Sequence, residues 1–77
     1  MNVKLVEIIA GQLNIDAAAV TMEAKFKEDL GADSLDLFEL VMSLEDTYGI
    51  EIPSEELEKL LSVGDVVCYL KEKGIEV

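Results

Sequence analysis

Apolar residues recur three and four positions apart in three separate stretches of this chain, and nowhere do they alternate as a half-buried strand requires. In the first stretch Val6, Ile9 and Leu13 share one face, with Leu5 and Ile8 beside them. The spacing predicts a helix over Val3 to Leu13, with Asn2 as its N-cap and Asn14 as a left-handed stop. From Ile15 to Asp33 the periodicity fails. A connection of that length in a compact domain must be packed down by its own side chains or serve a function. Val20, Phe26 and Leu30 are its expected anchors, with a helical turn near Glu23 to Asp29.

A second helix is expected from Asp33 or Ser34 to Tyr48, stopped by Gly49, with Gly31 and Ala32 allowing a tight turn before it. Ile50 to Ser54 reads as an extended link, because Pro53 blocks helix continuation. Ser54 is expected to cap a short helix through Leu60 or Leu61, with Glu55 and Glu56 at its positive end. Ser62 and Asp65 have capping-box spacing. The last helix then turns Val63, Val66, Val67 and Leu70 inward and ends at Gly74. The expected fold class is all-α. It is a small antiparallel four-helix bundle of three main helices plus one short one, with a long ordered loop between the first and second.

At 77 residues the chain forms one domain, 1–77, that buries about 60% of its unfolded surface. It has no histidine, no arginine and one cysteine. A Ser-His-Asp or Cys-His catalytic set therefore cannot be built, nor a His/Cys zinc site, nor a disulfide within the monomer. No catalytic residue and no metal site is expected. Cys68 falls opposite the inward face of the last helix and should be an exposed free thiol. Met1 is not followed by a basic segment and an apolar one, and no apolar run approaches a membrane span. The expectation is a cytoplasmic monomer with no membrane insertion.

Charge is distributed unevenly. Seventeen acids against six lysines give a net charge of −11. Eleven of the acids lie between Glu28 and Glu58 with no lysine among them, and the rest of the chain is neutral. That field repels phosphate backbones, which makes nucleic acid and anionic membranes poor partners, and it attracts proteins with basic patches. The same charge also suits a solvated face that only aids solubility.

On the second helix, Leu37, Leu40, Val41, Leu44 and Tyr48 span an arc wide enough for a core face. Leu35, Phe38 and Met42 lie at about 100°, 40° and 80° from Ser34, on the other side, among Glu39, Glu45 and Asp46, with Asp36 just beyond. So small a bundle can hardly bury both stripes. Asp33, Leu35, Asp36, Phe38, Glu39, Met42, Glu45 and Asp46 are therefore the candidate docking surface for a basic partner. Phe38 has an alternative place, folded against the long loop.

Ser34 stands where this helix begins. A serine there is usually a cap or first-turn residue. The chain lacks a base to activate it as a nucleophile, but unpaired N–H groups and the positive dipole end favour an anion bound to its hydroxyl. Asp33 and Asp36 oppose that anion, and have the chemistry to hold a divalent cation while another enzyme performs a transfer.

The run Asp29-Leu30-Gly31-Ala32-Asp33-Ser34-Leu35-Asp36, followed by Glu39-Leu40-Val41-Met42 and Leu44-Glu45, resembles the signature of bacterial acyl carrier proteins of dissociated fatty acid synthesis. The likeness continues through Glu51-Ile52-Pro53 and the Ser62-Val63 helix start. It implies that Ser34 carries 4′-phosphopantetheine, added from coenzyme A by a phosphopantetheinyl transferase (holo-ACP synthase) with magnesium. The arm's thiol would bear acyl groups as thioesters for fatty acid synthesis enzymes. In this family the acyl chain can fold back into the bundle, and Leu44, Ile52, Leu57 and Leu60 are candidates for lining that cavity. Leu37 stands where the family often has threonine, which makes the site more apolar, while Gly64 is a tolerable departure. A specialised carrier serving polyketide or other acyl transfer remains open, as does a non-covalent acidic adaptor switched at Ser34. A calcium sensor does not fit, because the EF-hand ligand order around Gly31 is not met.

Overall fold

The computed structural model describes residues 2–77. Helix α1 spans Val3–Leu13, α2 Ser34–Tyr48 and α3 Val63–Glu72, with a short 3-10 helix at Ser54–Lys59. Each α-helix begins and ends on local chemistry that the sequence announces. Asn2 accepts the Lys4 N–H at the start of α1, and Asn14 adopts the left-handed conformation at its end. Gly49 does the same after α2, with φ 66°. Ser62 and Asp65 form a reciprocal capping box at the start of α3, in which the Asp65 carboxylate also accepts the Leu61 N–H.

The core is built from Leu5 and Ile9 of α1, Leu40 and Leu44 of α2, and Val63, Val66, Val67 and Leu70 of α3, all fully or almost fully buried. The inward face of α3 is the one its spacing predicts. On α1 the buried stripe is centred on Leu5, Ile9 and Ala10, while Val6 and Leu13 are only half-buried. The buried face is thus rotated from the expected one, toward Leu5 and Ala10 and away from Val6 and Leu13. The Lys4 Nζ lies 5.6 Å from the centre of the Tyr48 ring, and Ser43 Oγ donates to Gln12 Oε1 at 2.8 Å. The start of α1 therefore lies beside the end of α2, as an antiparallel pair requires.

The long connection is ordered. Val20 and Phe26 are buried as anchors and Leu30 is half-buried, and the backbone turns helically from Lys25 to Leu30. Beyond that expectation, a 3-10 turn forms at Ala17–Ala19, capped by Asp16. The loop is also clamped to the start of α3 through backbone groups. Phe26 donates to the Leu61 carbonyl at 3.1 Å, Val63 to that of Ala24 at 2.9 Å, and Gly64 to that of Met22 at 3.0 Å.

The segment after Pro53 differs from the expectation. Ser54 is its first helical residue rather than its cap; Pro53 holds the cap position and makes no side-chain hydrogen bond. The six residues form a 3-10 helix that stops at Lys59. Proline fixes φ at −58° and suits the position before a helical turn, so the chain enters one residue earlier than a serine cap allows. Cys68 is an exposed free thiol on α3. No helix among the described residues is long and apolar enough to cross a membrane.

Candidate functional site

Gly31 takes φ 65°, a left-handed turn that reverses the loop into α2, and the Ala32 N–H donates to the Phe26 carbonyl at 2.7 Å. Ala32 is buried, and this fixes the height at which Asp33 and Ser34 emerge. Asp33 is the N-cap. Its Oδ1 accepts the Asp36 N–H at 2.9 Å, and Asp36 Oδ2 accepts the Asp33 N–H at 3.2 Å. Because Asp33 does the capping, the Ser34 hydroxyl is not used for it. Ser34 is the first helical residue, it is exposed, and its oxygen makes no hydrogen bond among the described residues. The box also engages one oxygen each of Asp33 and Asp36. Among the described residues no three acidic or cysteine side chains converge on a point that would hold a metal.

Ser34 borders a cavity of about 250 Å³. Its apolar wall comes from Phe26 and Ala32 of the loop, Leu37 of α2, and Leu57, Leu60 and Leu61 at the end of the short helix. Lys27, Asp33 and Glu58 complete the rim. Of the residues that sequence reasoning named for such a cavity, Leu57 and Leu60 line it. Leu44 and Ile52 do not; both are buried in the core away from it. Leu44 is seven residues from Leu37 on α2 and Ile52 five residues before Leu57, yet both belong to the buried core and not to the cavity wall. Phe26, Ala32 and Leu61 were missed because the wall is assembled from three segments distant in sequence. The usable signal was Leu37, the position singled out as unusually apolar.

The second stripe of α2 is open to solvent. Leu35 is 65% exposed, Met42 53% and Phe38 46%, so Phe38 does not fold over against the loop. Asp33, Glu39 and Asp46 are exposed beside them, and Asp36 is half-buried. Glu45 is committed elsewhere. Its Oε2 accepts the Ile52 N–H at 2.8 Å and holds the link after α2, which leaves it half-buried and tied to the fold.

Comparison with known proteins agrees with this geometry. The family described as "Phosphopantetheine attachment site" matches residues 3–70. Acyl carrier protein of Helicobacter acinonychis (strain Sheeba) is 60% identical over 68 residues, covering 88% of this chain and 87% of that protein. Acyl carrier protein of Clostridium acetobutylicum is 59% identical over 68 residues, covering 88% of each. Among solved structures, acyl carrier protein from Enterococcus faecalis superposes with a TM-score of 0.73 at 40% identity, covering 90% of this chain and 87% of that one. With a phosphopantetheine attachment family matched over residues 3–70 and acyl carrier proteins about 60% identical over 88% of its length, the chain belongs to the acyl carrier protein family, whose members are carriers.

Proposed function

We propose that Ser34 is the attachment residue, and that residues 1–77 act as one carrier domain bearing acyl intermediates of fatty acid synthesis on 4′-phosphopantetheine. One observation carries the reading: an exposed serine hydroxyl, released from capping by Asp33, borders an apolar cavity. The residues suit the arm. The Ser34 and Leu35 N–H groups lie in the first turn, where helical geometry leaves them without carbonyl partners, and they favour a phosphate on the adjoining oxygen. The six apolar residues of the wall suit methylene groups. The group supplies a terminal thiol, which holds acyl chains as thioesters; the protein supplies attachment, shelter and delivery. A tethered acyl group reaches partner active sites at a high effective concentration.

Two kinds of partner follow, a phosphopantetheinyl transferase and fatty acid synthesis enzymes that present basic patches. They dock on the open stripe of α2, with Leu35, Phe38 and Met42 entering shallow apolar pockets and Asp33, Asp36, Glu39 and Asp46 steering the approach. Glu45, first grouped with these, contributes charge but has less freedom to reach a partner. Work inside the cytoplasm is part of the same reading.

The test is to incubate the unmodified protein with coenzyme A, magnesium and a transferase of broad specificity. The expected result is one phosphopantetheine added per chain, and none in Ser34→Ala. Addition to the Ser34→Ala protein, or none to the wild type, rejects the assignment.

A further inference from the structure

Among the described residues, Lys27 is the one cation bordering the cavity that Ser34 also borders. Its neighbours hold it there. Phe26 is 2% exposed, donates its N–H to Leu61 and accepts that of Ala32, so the backbone at residue 27 is tied to both rims of the cavity. The other charged groups on the cavity, Asp33 and Glu58, are anionic. The two ion pairs among the described residues join Lys25 to Glu28 and Lys59 to Glu56, and Lys27 takes part in neither. Lys27 is thus an exposed residue in neither ion pair, on a rim whose other charged groups, Asp33 and Glu58, have the sign of a phosphate.

We infer that Lys27 is a positioning residue for the phosphodiester on Ser34, and this rests on the assignment of Ser34 proposed above. Attachment there sets a permanent negative charge on the rim beside Asp33 and Glu58. Lys27 is the group able to offset it, because a flexible stem with three N–H donors adapts to a tetrahedral anion without demanding one geometry. The ion pair draws the first segment of the arm toward the loop side of the cavity. The remainder of the arm then points toward the apolar wall and not along the acidic face of α2. No bond is made or broken by Lys27. Its effect is orientation, and added salt weakens it because the pair is exposed.

The experiment uses protein carrying the arm, with intact mass confirming one group on Ser34, as wild type, Lys27→Met and Lys27→Arg. Lys27 is exposed, so all three should fold alike, which far-UV circular dichroism checks. The readout is the 31P resonance of the phosphodiester at low and high salt. The expected result is a salt-dependent shift in the wild type that is largely lost in Lys27→Met, with Lys27→Arg retaining most of it. Equal resonances and equal salt responses in wild type and Lys27→Met overturn the inference. So does loss of the response in Lys27→Arg, since that makes loop shape and not charge the cause. Failure of the arm to attach at Ser34 overturns the underlying assignment instead, and the mass measurement separates the two results.

Discussion

Gly64 sets two known effects against each other, and the structure says which prevails. It lies in the first turn of α3, where alanine is the better helix former by at most about 1 kcal/mol. A Cβ built on Gly64 would come within 2.9 Å of the Met22 carbonyl oxygen, about half an ångström inside the shortest ordinary contact. That oxygen belongs to backbone, and it accepts the Gly64 N–H at 3.0 Å. Relief therefore moves the loop away from α3 and stretches the hydrogen bonds at Gly64, Val63 and Phe26 together. Loss of even two such bonds costs about 1–3 kcal/mol. The net prediction for Gly64→Ala is a destabilisation of about 1–2 kcal/mol, a fall in Tm of about 5–15 °C for a domain of this size. Thermal and urea unfolding measure it, and hydrogen exchange should show faster exchange at the Phe26 and Val63 amides. A variant as stable as the wild type, or more so, refutes the reasoning and means the loop is not clamped at this distance. The sequence alone suggested that Gly64 is a tolerable departure; the close carbonyl makes it a required one.

Three further outcomes follow from the same structure. Ser34→Ala should change unfolding free energy by less than about 0.5 kcal/mol, whereas Asp33→Ala, which removes the cap, should cost about 1 kcal/mol in the same titration. Tyr48 carries a buried hydroxyl with no partner among the described residues, and burial raises its pKa above 10.0. The folded state therefore holds that proton more tightly than the unfolded state, so its contribution is intact below about pH 10 and is lost as pH rises through the folded value. Tyr48→Phe should be neutral or more stable by up to about 1 kcal/mol near pH 7, and should lose less stability than the wild type in alkaline urea titrations. Glu39→Lys should slow association with a basic partner enzyme in stopped-flow measurements at low salt, with the difference shrinking as salt is raised; equal rates at low salt remove Glu39 from the docking surface.

Much of this was legible in the residues because it is encoded locally. Asn2, Asn14, Gly49 and the Ser62–Asp65 box bound helices that their own side chains and dihedral preferences terminate. The excess apolar stripe of Leu35, Phe38 and Met42 follows from helical geometry, whereas the exposure of Phe38, which had an alternative place against the long loop, is settled only by the folded structure. What depended on contacts between distant segments was not legible. Backbone bonds from Met22, Ala24 and Phe26 to residues 61–64 leave no periodic trace, since any residue's backbone can make them. The cavity wall shows the same limit. Leu57 and Leu60 belong to one short segment and were found together, while Phe26, Ala32 and Leu61 become neighbours only once the loop folds back. Glu45 looked like surface charge by angle, but the Ile52 N–H seven residues on claims it.

Fragment mass spectrometry on the protein purified from the cells that make it tests the central assignment most directly. The account predicts a single phosphopantetheine on the peptide containing Ser34, with or without an acyl thioester on its sulfur. A chain of unmodified mass throughout, or the same group found on Ser43, Ser54 or Ser62, would contradict it.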